Sequence, residues 1–369
     1  MTAMTMIASR PASAWAPERL LVVADRVGAT QEISFAQPLA SRPGDMLVYF
    51  DKNLRQKEAI RARFDYVQPT LLVLSRYTYQ NGLYWAQLAR QAGIPVIFHI
   101  DDDLLQVPMS LGPEKYAAYN DPARLKALRD NMEACDLLYA STAPLAEDLR
   151  GHGIRVPIVA GDIYCSVDLD TAPPLPPATG PVIGYMGSGG HAADLEMIEG
   201  AIARLMLRFP TLRFEIFGTL PIPRALQPFS DRVGHVTPGM LDYDDFIALL
   251  RRLGWWIGLA PLEDNRFNRC KADTKWVEYS QAGIPVVASD LPVYHRACAG
   301  GAGFLAGDEE AWYGYMERLI LDPGRRAETT SRAAQRLKTV YQRENLTRQV
   351  LEIFGQVRDL TLHDQVTTP

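Results

Sequence analysis

Short apolar runs, each closed by polar residues, constrain this chain more than any other feature. Four of them come early: Arg19–Asp25 (RLLVVAD), Asp45–Phe50 (DMLVYF), Thr70–Arg76 (TLLVLSR) and Ile94–Asp103 (IPVIFHIDDD). None alternates apolar with polar residues, so each reads as a strand buried on both faces, the pattern a parallel sheet requires. Helical periodicity fills the gaps. Gln80–Gly93 sets Leu83, Trp85, Leu88 and Ala89 on one side and stops at a glycine before Ile94-Pro95. A further strand, Cys135–Thr142, precedes a helix over Ala143–Arg150. This alternation predicts a doubly wound α/β domain.

The alternation stops at Leu169–Val182 (LDTAPPLPPATGPV), whose prolines make a semi-rigid connector, and then begins again. Strands are expected over VIGYMGS, LRFEIFG, WWIGLAPL, IPVVASD and GAGFLAG, and helices over Ala193–Arg208, Asp242–Leu253 and Asp273–Ala282. With 369 residues the chain is too long for one ordinary core. It divides into a Rossmann-like half over 1–168, a second over 169–345, and a closing helical tail over 346–369 that crosses back to the first half. Two such halves face each other across a cleft at the carboxyl ends of their sheets, where open parallel sheets bind ligands.

Composition excludes several classes. A net charge of −5 gives no global attraction to nucleic acid, so an anionic ligand needs a local site. Cys135, Cys165, Cys270 and Cys298 show no metal-binding spacing and read as reduced thiols of a cytoplasmic protein. No apolar run is long enough to span a membrane. Contact with the inner face of a membrane is left open, with the basic stretch Arg124–Asp130 (RLKALRD) as its candidate.

Two segments carry chemistry. VIGYMGSGGHAADLEM runs from strand through a glycine-rich turn to a helix. Gly187, Gly189 and Gly190 let backbone amides approach a ligand, and a helix amino terminus favours phosphate. His191 adds a donor, and Asp194 caps the helix or meets a hydroxyl. Neither the P-loop pattern nor the dinucleotide fingerprint is present, and such a turn also occurs for purely structural reasons. The second segment is Asn265–Asp290 (NRFNRCKADTKWVEYSQAGIPVVASD). On one helix Lys271, Lys275 and Glu278 fall within an arc of about 60°, between strands that read as buried. Two cations for a diphosphate and a carboxylate for a diol describe a nucleotide-sugar pocket.

Asn265–Asp290 resembles the donor-site signature of family-4-type retaining glycosyltransferases with the GT-B fold, and the YMGSGGHAADL, FGTLP and PVIFHIDDDL segments are similar to other parts of that group. The resemblance implies two Rossmann-like domains, 1–168 on the acceptor side and 169–345 holding the donor. It implies that Glu278 binds the donor ribose, that Lys271 approaches the diphosphate or sugar, and that Gly187, Ser188, Gly189, Gly190 and His191 line the phosphates, with Lys275 beside them. Gly218, Thr219 and Val236 would frame the base. The chain departs from the pattern at Cys270, where the family often has a first glutamate, at Ser188, where many relatives carry an arginine, and at Ala272.

Asp101, Asp102 and Asp103 end a strand facing the expected cleft. Carboxylates so placed bind a divalent metal, orient an acceptor hydroxyl or cap a helix. Acceptor-side or structural roles are favoured, with Asp101 near the position where related enzymes place a reacting-centre histidine. Ala24–Phe35 is the candidate acceptor loop, bringing Gln31 and Glu32. The expected function is sugar transfer from a nucleoside diphosphate sugar to a glycan, lipid-linked or other hydroxyl acceptor, with retention, in glycan or glycoconjugate synthesis, with no cofactor and no required metal. The alternatives are a GT-B nucleotide-sugar epimerase and a degenerate GT-B protein serving as a binding or scaffold subunit.

Overall fold

The computed structural model describes residues 14–42, 44–166, 180–187, 189–237, 239 and 242–367. The proline-rich connector and the 168/169 boundary placed in it therefore lie outside the described residues.

The first half contains β1 (Arg19–Ala24), α1 (Ala29–Gln31), β2 (Leu47–Lys52), α2 (Lys57–Val67), β3 (Leu71–Ser75), α3 (Gly82–Gln91) and β4 (Val96–Ile100). It continues with α4 (Pro113–Tyr119), α5 (Pro122–Glu133), β5 (Leu137–Ala140), α6 (Ala143–Gly151) and β6 (Ile158–Ala160). These strands form one parallel sheet in the order β2-β1-β3-β4-β5-β6. The second half has β7 (Val182–Gly187), α7 (Ala192–Glu196), α8 (Glu199–Arg208), β8 (Arg213–Gly218), β9 (Val233–Val236), α9 (Tyr243–Arg252), β10 (Ile257–Ala260) and α10 (Arg266–Arg269). It ends with α11 (Thr274–Gln281), β11 (Val286–Ser289), α12 (Pro292–Cys298), β12 (Phe304–Ala306), α13 (Glu309–Leu321), α14 (Pro323–Val340) and α15 (Arg343–Thr367). Its sheet is also parallel, in the order β12-β11-β10-β7-β8-β9.

Burial on both faces is visible residue by residue. Leu21 and Val23 of β1 enter one apolar cluster, whereas Leu20 and Val22 enter another on the opposite face. In β7, Ile183 and Tyr185 face one cluster and Val182 and Met186 the other. The expectation fails for β2, an edge strand with Leu47 48% exposed, because only β1 covers it. The expected helix over Ala193–Arg208 is broken into α7 and α8, which leaves α7 a single turn.

The last helix returns to the first sheet. Val350, Leu351, Ile353, Phe354 and Val357 of α15 pack on Leu20, Val22, Phe35 and Tyr139. Each side chain so buried contributes roughly 1.5–3 kcal/mol. Gln349 accepts from the Asp162 N–H at 2.7 Å, and Arg343 donates to the Ser166 carbonyl, so the crossing is anchored by polar bonds as well. A second bridge joins the halves: Phe267 and Cys270 are buried within the first half's apolar cluster, and Thr142 donates its hydroxyl proton to the Cys270 carbonyl at 2.7 Å.

Candidate active site

Strand order reverses between β1 and β3 in the first sheet and between β7 and β10 in the second, and the candidate residues gather at the carboxyl ends of these strands. Gly187 ends β7 and Gly218 ends β8. A Cβ on Gly218, whose φ is +136°, would lie 2.1 Å from the Gly187 carbonyl oxygen, so only glycine lets the two strand ends close up. Ser188 is outside the described residues. Gly189–His191 then forms one 3₁₀ turn. A Cβ on Gly190 would lie 2.5 Å from Lys115 Nζ, which places a lysine of the first half against the glycine loop of the second.

Asn265 starts α10 by accepting the Asn268 N–H at 2.8 Å, and the chain leaves helical geometry before α11 begins at Thr274. Lys271 is therefore not on the helix that carries Lys275 and Glu278, which corrects the single-face reading; the two that remain are one turn apart on α11. Lys271 reaches across the cleft to Asp102, Nζ to Oδ1 2.9 Å. Asp102 also accepts from Arg76 at 3.2 Å, and together Lys271 and Arg76 hold its carboxyl well below the usual range despite burial. Arg76 donates as well to Asp101, which takes a further bond from the Thr30 hydroxyl at 2.8 Å. Arg76 sits at the end of β3 with φ +50°, a conformation non-glycine residues rarely adopt and one that concentrates at functional sites.

Lys275 is partly buried over the Tyr185 ring, 5.8 Å from its centroid, and among the described residues it makes no hydrogen bond and no ion pair. Burial pushes its ammonium below the usual lysine range; Asp194 and Glu278 oppose that shift from a distance, and Lys271 adds to it. Glu278 accepts a hydrogen bond from the Tyr243 hydroxyl, and burial pushes its carboxyl up to about 7. Tyr243 packs on Phe246, and Phe246 on Phe217, each pair 5.5 Å between centroids. Val236 lies against the same apolar cluster, while Thr219 is exposed beyond the end of β8. His191 donates its Nδ1–H to Asp194 at 2.9 Å and is lowered to about 4 by Lys275 and then by burial, so it is neutral at pH 7 and adds no positive charge to the unliganded site.

No protein-family model matches the sequence, and no curated protein does. Solved structures do match in shape. A HepE structure from Anabaena in complex with UDP superposes with a TM-score of 0.63 at 14% identity, covering 92% of this chain and all of that one (100%). An E. coli trehalose-6-phosphate structure bound with UDP-2-fluoro glucose gives 0.58 at 14% identity, covering 93% and 99%. The UDP-GlcNAc 2-epimerase of Neisseria meningitidis bound to UDP-GlcNAc gives 0.51 at 15% identity, covering 92% and 100%.

The protein has the GT-B fold.

Within this GT-B chain Lys271, Lys275, Glu278, His191, Gly190, Asp101 and Asp102 line one region between the sheets. Several other candidates do not join it. Asp103 is buried, bonded to His152 at 3.0 Å and to the Leu105 N–H at 3.2 Å, so it shapes the turn after β4 instead of facing an acceptor. Gln31 is buried too, donating to Ser75 at 2.8 Å and accepting from Gly28 N–H. Asp194 spends its oxygens on His191 and on the Glu263 N–H, which leaves it a brace for the glycine loop. Glu32 does face the second half, where burial, Asp244 and Asp242 raise its carboxyl. Cys270 is committed to the contact between halves, so that side chain does not occupy the position of a sugar-binding glutamate.

Lys115, Arg76 and Tyr243 were not legible as site residues. A basic residue at the carboxyl end of a predicted strand is the signal that singles out Arg76. Nothing local marks Lys115, which reaches the glycine loop only through tertiary packing. Among the described residues one group has the ligand types for a metal: Asp103, Asp148 and His152, with ligand atoms within 4.8 Å of one another. Two of its carboxylate oxygens already have partners, since Arg266 pairs with Asp148 at 2.5 Å and His152 bonds Asp103 at 3.0 Å, while Asp148 Oδ2 is buried without a hydrogen bond. The basic stretch considered for membrane contact is likewise engaged, Arg124 with Thr78 and Lys126 with Asp130. Among the described residues no helix is long and apolar enough to cross a membrane.

Proposed function

We propose that this GT-B protein transfers a sugar from a nucleoside diphosphate sugar to an acceptor hydroxyl. One observation carries the reading: Lys275, partly buried at the switch point of the second sheet, has no anionic partner within ion-pair distance among the described residues. A cation left so is costly unless a ligand supplies the charge. The diphosphate would lie against Lys275, the 187–191 loop and Lys271, with Lys115 approaching from the first half. Glu278, oriented by Tyr243, would accept the ribose hydroxyls, and Gly218, Thr219 and Val236 would border the base. As the bond to the anomeric carbon breaks, negative charge grows on the departing diphosphate, and the preorganised ammonium groups stabilise that charge. Binding of the diphosphate offsets the Lys275 field and so favours protonation of His191, which then donates as well. Lys271 must exchange Asp102 for phosphate, which frees Asp102 to receive an acceptor hydroxyl. These groups make a metal unnecessary in the proposal, and retention follows from the resemblance of the 265–290 segment.

The test is turnover followed by NMR. The protein is incubated with UDP-glucose or UDP-GlcNAc and a panel of hydroxyl acceptors, in the presence of a chelator. Acceptor-dependent release of UDP with a new glycosidic signal is expected. Conversion of the UDP-sugar to its epimer without release would instead establish the epimerase reading, and nucleotide binding with neither product would establish a binding subunit.

A further inference from the structure

The second half holds another cavity, at the amino-terminal ends of its strands. It has a volume of about 520 Å³ and lies between the segments leading into β10 and β11 and the face of α14. Arg251, Trp256, Pro285, Arg326 and Thr330 are among its walls. The volume is within the range of small-molecule sites.

Its charge is unbalanced. The Arg251 side chain makes no hydrogen bond and no ion pair among the described residues, and its Nε is buried without a partner. The position near the end of α9 complements that helix's dipole, but a dipole does not satisfy a buried N–H. Arg326 stacks on Trp256, 3.9 Å from the ring centroid, and is steadied by donating to the carbonyls of Leu319 and Ile320. It forms no ion pair. The Trp256 indole N–H is buried and unpartnered as well. Burial lowers both guanidinium groups, with Asp322 opposing the shift at Arg326 from beyond ion-pair distance. A protein of net charge −5 thus keeps two guanidinium groups at one concave site whose other walls are mostly apolar, with Thr330 and Ser331 as hydroxyl groups among them.

We propose that this cavity binds a small organic phosphate carrying a flat apolar body. Two guanidinium groups match the charge of a phosphate monoester, about −1.5 to −2 at neutral pH, where a carboxylate would neutralise only one. Guanidinium forks suit phosphate oxygens, the Thr330 hydroxyl lies on the same wall, and Pro285 and the tryptophan give a surface for a ring. The site is separate from the donor site but shares two helices with it. Tyr243 and Glu278 lie toward the donor end of α9 and α11, whereas Arg251 and the Gly283 turn lie at the other end.

Calorimetric titration of the full chain with phenyl phosphate tests this, with inorganic phosphate, UDP and phosphatidylglycerol vesicles as separate arms. One phenyl phosphate per chain is expected, unaffected by saturating UDP. Arg251→Gln should weaken it about tenfold or more with little change in the thermal midpoint of the ligand-free protein, since no side-chain hydrogen bond or ion pair among the described residues is lost. Arg251→Lys, which keeps the charge and removes the fork, should fall between. No heat at about 10 mM phenyl phosphate, equal binding by wild type and both variants, or displacement by UDP would each overturn the proposal. So would vesicle binding that depends on Arg251 in the absence of phenyl phosphate binding, since that would make the site a lipid contact.

Discussion

Glu278→Gln will make the ligand-free protein more stable above about pH 7 while weakening its hold on a nucleotide. Burial raises the Glu278 carboxyl from 4.5 to about 7. Between those values the folded chain binds more protons than the unfolded chain, so this group's contribution to stability is complete below pH 4.5 and is lost as the pH rises toward 7. Glutamine has no such loss and still accepts the Tyr243 hydroxyl proton. The variant should therefore match wild type at low pH and exceed it by about 1–3 kcal/mol at alkaline pH. Nucleotide affinity should move the other way, since hydrogen bonds to a charged acceptor contribute about 1.5–3 kcal/mol, or roughly ten- to a hundredfold. Wild-type affinity should also rise with pH through 7, as the carboxylate forms. Denaturation and nucleotide titration at several pH values would check both halves. A variant less stable at every pH, with unchanged affinity, would remove Glu278 from the site.

Lys275→Met should show the same opposition through the other charge. The wild-type ammonium is lowered from 10.5 by burial, opposed by Asp194 and Glu278 from a distance, and among the described residues it has no ion-pair partner. The unfolded chain consequently binds more protons than the folded chain below 10.5, and the stability deficit that Lys275 imposes shrinks as the pH rises toward that value. Methionine keeps the contact with Tyr185 and removes the charge, so a gain of about 1–2 kcal/mol is expected at neutral pH, fading in alkali. Turnover should fall by roughly 10²- to 10³-fold, because the lost interaction is strongest with the departing diphosphate. Unchanged kcat would contradict the assignment of Lys275 to the leaving group. A protein that loses stability instead would show that Lys275 has a structural partner in solution.

Much of this architecture was legible because burial on both faces leaves a plain mark in sequence. LLVVA and VIGYMG lack charged residues since helices cover both sides, and the edge strand β2 departs from that logic where cover is missing. Boundaries between short helices were less legible. Lys271 and Lys275 are four residues apart, which suggests one face, but the break between α10 and α11 separates them: Lys271 reaches across to Asp102 of the first half, whereas Lys275 lies over Tyr185. The acidic run after β4 shows the same limit. Three adjacent aspartates look equivalent, yet Asp101 and Asp102 turn to Arg76 whereas Asp103 turns to His152, a division set by neighbours distant in sequence. Arg76 and Lys115 depend on packing that no local pattern records.

The central claim is that the Lys275–Glu278 region of this GT-B chain holds a nucleoside diphosphate without a metal. Calorimetric titration with UDP, GDP, dTDP and ADP in the presence of a chelator, on wild type and Glu278→Gln, tests it most directly. One nucleotide should bind wild type in the micromolar range, about 8 kcal/mol of binding free energy, with a clear loss in the variant. No binding by any of the four up to about 1 mM, or binding that appears only when a divalent ion is added, would contradict it.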